Sequence, residues 1–196
     1  DISSQFATLK DSNLVLRSVN ILHTMSVVPT KNSTDGMILE FSTKQTASIF
    51  KFVDTIFTNL DIVDINSQES VKNKLQEALD YLLRSSLADE APSNLPIIYP
   101  GQSLTASATK ISVKGFNSST TSSFLSPSGK TASVKIPKSA VSTKQYLHLI
   151  TIMADKPFYS TKSVNAGSSI KTGMIRVSIN EAEPVVETDK SMTKSQ

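Results

Sequence analysis

Between Ser67 and Leu87 the sequence SQESVKNKLQEALDYLLRSSL repeats its apolar residues at steps of three and four. Val71, Leu75, Ala78, Leu79, Leu82 and Leu83 therefore fall on one stripe of a helix. A helix with a single apolar stripe gains most of its stability by burying that stripe, so this segment requires a packing partner. Asn66 or Ser67 is placed to cap the first turn. Glu69 sits where a capping box and the helix dipole both favour an acid, and Arg84 lies near the carboxyl end. The chain before this helix reads as helical, and the chain after it reads as strands.

Upstream, SNLVLRSVNILHTMSVV over Ser12 to Val28 carries a broad apolar face, with Pro29 expected to end the helix. His23 lies beside that face and reads as a structural residue with a partner group. The Asn, Asp and Gly of TKNSTDG mark a loop, and MILEF at Met37 to Phe41 reads as a short strand or the lead into a helix. Ser42 and Gln45 have capping-box spacing. Beyond them Ile49, Phe52, Val53, Ile56, Phe57 and Leu60 form a second stripe, with Lys44, Lys51, Asp54 and Thr58 outside it. Asp54, Asp61 and Asp64 lack the Gly turn and alternating oxygen ligands of a calcium loop, so they read as a solvated face.

The composition then changes. ADEAPSNLPIIYPGQS contains Pro92, Pro96, Pro100 and Gly101, which stop a continuing helix and mark a junction. Past it the apolar period becomes two, with strands expected over Thr109 to Val113, Ala132 to Ile136, Gln145 to Met153 and Met174 to Asn180. NSSTTSS reads as a loop and Ser-Pro-Ser-Gly as a turn. The run QYLHLITIM is apolar enough to be buried on both faces, and His148 inside it reads as structural. In the last strand Ile175, Val177 and Ile179 are expected to point inward. The expected fold class is α+β: a helical subdomain over residues 1–91, a junction over 92–103, a β-sandwich subdomain over 104–186 and a polar tail over 187–196.

With 196 residues, 38% of them hydrophobic, the chain can bury a real core. Its formal charge of +3 comes from scattered lysines without a basic block, which argues against nucleic-acid binding. Absence of cysteine removes disulfides, thiolate nucleophiles and cysteine-ligated metals together. No run is apolar enough to span a bilayer, and a start at Asp1 reads as a processed chain or a piece of a longer one. The Ser/Thr-rich, aromatic-poor composition is common in extracellular β-rich domains. Two sequons, Asn32-Ser33-Thr34 and Asn117-Ser118-Ser119, are glycosylation candidates, though so many Ser and Thr residues create sequons by chance.

A helical half, a Pro-rich junction and a Ser/Thr-rich β half resemble the GAIN domain of adhesion receptors and polycystin-1-like proteins. KISVKGFNSSTTSSF followed by ASVKIPKSAV resembles its strand, loop and proline-ended strand. LHLITIMADKPFYS resembles the next strand and its turn, with Asp155 and Lys156 replacing the usual Asn, and SIKTGMIRVSIN resembles a later strand. The likeness covers about residues 40 to 180. The self-cleavage tripeptide of that family, His-Leu-Thr or His-Leu-Ser, is not matched: His148-Leu149 is followed by Ile150, without Cys or Trp nearby. An acyl shift needs a hydroxyl directly after the scissile carbonyl.

The resemblance implies an extracellular, membrane-proximal module that transmits force within a larger surface protein, the ciliary surface included. Its partners would be other domains of the same or a partner surface protein, with no nucleic acid, no cofactor, no metal and no membrane insertion by this segment. No catalytic residues are expected, so the chain does not read as an enzyme. Leu79 and Leu83 would dock the helical half, while Pro96 and Pro100 set the angle between the halves. A charge at Leu79, as in Leu79→Asp, should collapse the helical half. The alternative is a Ser/Thr-rich adhesin or filament subunit. A carbohydrate- or peptide-binding domain would need exposed aromatics, for which Tyr99, Tyr146, Phe158 and Tyr159 are the candidates.

Overall fold

The computed structural model describes residues 11–32, 41–88, 90–93, 95–113, 119–125, 127, 129, 131–137, 146–156 and 173–182. Helix α1 spans Ser12–Asn32 and therefore continues past Pro29, contrary to expectation. Proline removes only its own N–H, here the donor that would reach the Met25 carbonyl, and so near the end of a helix the remaining turn can still close. Helix α2, Thr43–Thr58, starts at the expected capping box: the Gln45 N–H donates to the Ser42 hydroxyl, and the Ser42 N–H donates to the Gln45 side chain. A short 3-10 turn, Leu60–Ile62, leads to helix α3, Ile65–Ser85. Its cap is Asp64, which accepts from the Asn66 N–H at 3.1 Å; Asn66 and Ser67 already lie inside the helix.

Among the described residues six strands follow: β1 Ile97–Pro100, β2 Leu104–Ser112, β3 Ser119–Leu125, β4 Thr131–Pro137, β5 Tyr146–Ala154 and β6 Met174–Ala182. Strand β1 lies inside the stretch read as a junction. Strand β3 forms where a loop was expected, because a Ser/Thr run without apolar alternation hides a strand whose pairing comes from β4. Gly129, with φ 77°, supplies the left-handed residue of the turn between them. The other four strands make one antiparallel sheet in the order β1-β2-β5-β6. Among the described residues the fold is α+β: three helices, this open sheet and the β3–β4 hairpin.

Pairing sets which side chains share a face. Ala106 lies opposite Ile152 and Ile152 opposite Arg176, while Tyr99 lies opposite Ala106. Tyr99, Leu104, Ala106, Ala108, Ile150, Ile152 and Ala154 all join one buried cluster with Val15, Phe50, Phe57, Leu75, Leu79 and Leu83 of the helices. The core thus runs without a break from helices to sheet. Ala106 and Ala108 are small, which lets the helices approach the sheet closely. Strand β5 is buried on both faces as expected, and on the far side Leu149 meets Ile111 and the hairpin residue Ile136.

Strand β6 corrects the expectation in its facing. Ile175 and Ile179 are 50% and 41% exposed, whereas Met174 and Arg176 occupy the helix-facing side. Val177 is half-buried against the small Ile111–Ile136–Leu149 cluster. Alternation identifies two faces but not which one is covered. Here Asp80 of α3 offers a charge partner to Arg176, and the strand turns accordingly.

Candidate functional site

Among the described residues the helix–sheet seam gathers a cluster of buried and half-buried polar contacts. On α2, Phe50, Val53 and Phe57 point into the core, and Asp54 occupies the i+4 position of that i, i+3, i+4, i+7 set. Asp54 is only 7% exposed, so the expectation of a solvated residue is overturned. Its compensation comes from the turn between β1 and β2. Asp54 Oδ2 accepts from the Gln102 N–H at 2.7 Å, and Oδ1 accepts from the N–H groups of Ser103 and Leu104 at 2.9 and 2.8 Å. Three successive backbone donors converging on one carboxylate form a nest, and charge-assisted bonds of this kind offset much of the desolvation cost.

Gly101 is required by the same geometry. A Cβ there would lie 2.5 Å from Asp54 Cγ and from the Leu104 carbonyl oxygen. Further ties surround the nest. Thr58 Oγ1 lies 2.8 Å from the Asp54 carbonyl oxygen and 2.9 Å from Ser103 Oγ, and the Asp155 N–H donates to the Ser103 carbonyl at 3.1 Å. Lys156 pairs with Asp61 at the surface. The open groove beside the turn is lined by Lys51, Thr55, Asn59 and Gln102, without a histidine or an activated nucleophile.

The seam is fastened again at the end of α3. The Tyr99 hydroxyl donates to Ser86 Oγ at 3.1 Å, its ring lies 5.9 Å from that of Phe50, and burial pushes its phenol pKa up. Lys110 donates to the Ala88 carbonyl at 2.8 Å and rests over the Tyr146 ring, while the Ser93 N–H donates to the Lys110 carbonyl. Arg176 Nη2 meets Asp80 Oδ2 at 2.6 Å, both side chains being about one-fifth exposed. Burial raises the Asp80 carboxyl pKa, and the positive charges of Arg176 and Arg84 work against that rise. His148, on the same sheet face, is driven down to about 4 by burial and then by the charges of Lys110 and Arg84.

The residues singled out from sequence distribute as follows. Leu79 and Leu83 are fully buried in the shared core. Pro96 is half-buried just before β1, and Pro100 ends β1 opposite Thr105, exposed. Asn32 is the last residue of α1 rather than a loop residue, and Asn117 lies outside the described residues. Tyr99 is 2% exposed and Tyr146 lies beneath Lys110, so neither offers a free ring; Phe158 and Tyr159 lie outside the described residues. His23 Nε2 lies 2.9 Å from Glu77 Oε2, joining α1 to α3. Asp54, Asp61 and Asp64 serve three separate contacts. Among the described residues no group of three or more histidines and acids is arranged to hold a metal. No described helix is long and apolar enough to cross a membrane.

Three helices clasped onto an antiparallel sheet define an α+β module of the kind present in an adhesion-receptor extracellular region. One solved structure that carries this likeness is the full extracellular region of zebrafish Gpr126/Adgrg6, with a TM-score of 0.53 and 11% identity. The likeness covers 90% of this chain and 24% of that one, so the chain spans about a quarter of the region it resembles. No family profile and no curated protein matches the sequence.

Proposed function

We propose that the chain is a non-catalytic, extracellular, membrane-proximal structural module of a larger adhesion-receptor-like or polycystin-1-like surface protein, where it carries load between neighbouring domains. The observation that carries this reading is the fold likeness to an adhesion-receptor extracellular region over 90% of the chain. The seam supports it: a nest, a half-buried ion pair and a continuous core resist separation of helices from sheet. In this reading the β3–β4 hairpin belongs to the second layer of a sandwich, as in GAIN domains, and Asn32 and Asn117 carry glycans.

The test is secretion of the chain behind a leader from a eukaryotic host, followed by light scattering and glycosidase treatment. A secreted monomer whose mass falls on deglycosylation supports the proposal. Retention and degradation of the chain, or growth into filaments, would refute it. One observation favours the filament-subunit alternative: β6 is an edge of the described sheet and exposes Ile175 and Ile179 beside its open backbone.

A further inference from the structure

Helix α3 meets the sheet through a small set of charges whose balance is uneven. From α3 the seam receives Asp80 and Arg84, from β2 Lys110, from β5 Tyr146 and His148, and from β6 Arg176. His148 is the cross-strand partner of Lys110 on one side and of Asn180 on the other, which puts it on the helix-facing side of a central strand. Its Nε2 is buried and makes no hydrogen bond to the described residues. Asp80, the acid at this end of the seam, is engaged by Arg176 through Oδ2, while its buried Oδ1 makes no hydrogen bond to the described residues. A proton on His148 therefore adds a further cation beside the positive charges of Lys110 and Arg84, on a ring nitrogen that has no acceptor waiting for it.

We propose that this seam is an acid-releasable latch, in which protonation of His148 loosens α3 from the sheet. The inference is independent of where the chain works. Its direction follows from linkage. The folded state prefers neutral His148, so the stabilisation is complete above the ordinary value of 6.5 and is lost as pH falls from there toward about 4. Asp80 acts in the opposite sense. Its raised pKa favours the protonated acid in the folded state, a contribution present below 3.8 and lost as pH rises through the raised value. The latch consequently operates most strongly in mildly acidic conditions, where histidine titration leads. After allowance for partial solvent screening, the closed-to-open ratio should fall on the order of tenfold between about pH 7 and 5.

The full chain is suited to a direct test, because it contains only two histidines. In an NMR titration of the imidazoles, with His23→Gln used for assignment, His148 should titrate with a midpoint below about 5. Hydrogen exchange, corrected for intrinsic rates, should reveal that amides of α3 and β5 lose roughly tenfold protection on acidification, and that His148→Gln abolishes this loss. A His148 midpoint near 6.5 would overturn the proposal. So would an equal loss in His148→Gln, or a loss spread evenly over α1 and the hairpin. If His148→Gln does not fold, the wild-type titration decides alone.

Discussion

Replacing Asp54 with alanine removes the acceptor of three backbone donors at once and leaves the N–H groups of Gln102, Ser103 and Leu104 facing a cavity. Hydrogen bonds to a charged acceptor contribute roughly 1.5–3 kcal/mol each, and bonds sharing one carboxylate do not add fully. Set against the relief of burying a charge, the expected loss is about 3–5 kcal/mol. For a chain of this size that corresponds to a melting temperature lower by about 10 °C. Asp54→Asn keeps the oxygen facing Ser103 and Leu104 but turns an amide donor toward the Gln102 N–H, for about half that loss. Urea unfolding followed by circular dichroism, with calorimetry for the melting temperature, measures both. Asp61→Asn is the internal control: Asp61 belongs to the same acidic series, yet its side chain is 76% exposed. It should change stability by less than about 0.5 kcal/mol. An Asp54→Ala loss below about 1 kcal/mol, or one equal to that of Asp61→Asn, would refute the reasoning.

Gly101→Ala should approach the cost of Asp54→Ala without touching the carboxylate, since the new methyl displaces Asp54 from its donors; combining the two changes should then cost little more than either, as a double-mutant cycle reads directly. Tyr99→Phe keeps the ring against Phe50 and removes only the bond to Ser86, for about 1 kcal/mol in urea unfolding. Arg176→Ala leaves the half-buried Asp80 without its partner and should cost about 1–3 kcal/mol, while the paired change Asp80→Leu with Arg176→Met should restore most of that stability.

The elements with a strong apolar pattern, a single helical stripe or an unbroken run, are legible from the sequence. The α3 stripe is buried at every named position, the Ser42–Gln45 box caps α2, and the apolar run of β5 is covered on both faces. The site was harder to read. Its charge makes Asp54 read as a solvated residue of α2, although it stands at a core position beside Val53 and between Phe50 and Phe57. That spacing was the available signal, since an acid within an apolar set must find donors, and the Pro-Gly turn ahead of β2 has free ones. The facing of β6 was inverted for a related reason: Arg176 reached a charge on α3 that only the tertiary fold brings near. Strand β3 left no periodic trace because its Ser and Thr residues look alike on both faces.

The nest around Asp54 also bears on how the chain can be divided. Cutting between α3 and β1 would leave one fragment with a carboxylate set among phenylalanines and another with three amides aimed at nothing. Each half supplies what makes the other tolerable in water. A boundary drawn at the change from helix to strand composition therefore separates two styles of sequence but cuts through one shared core.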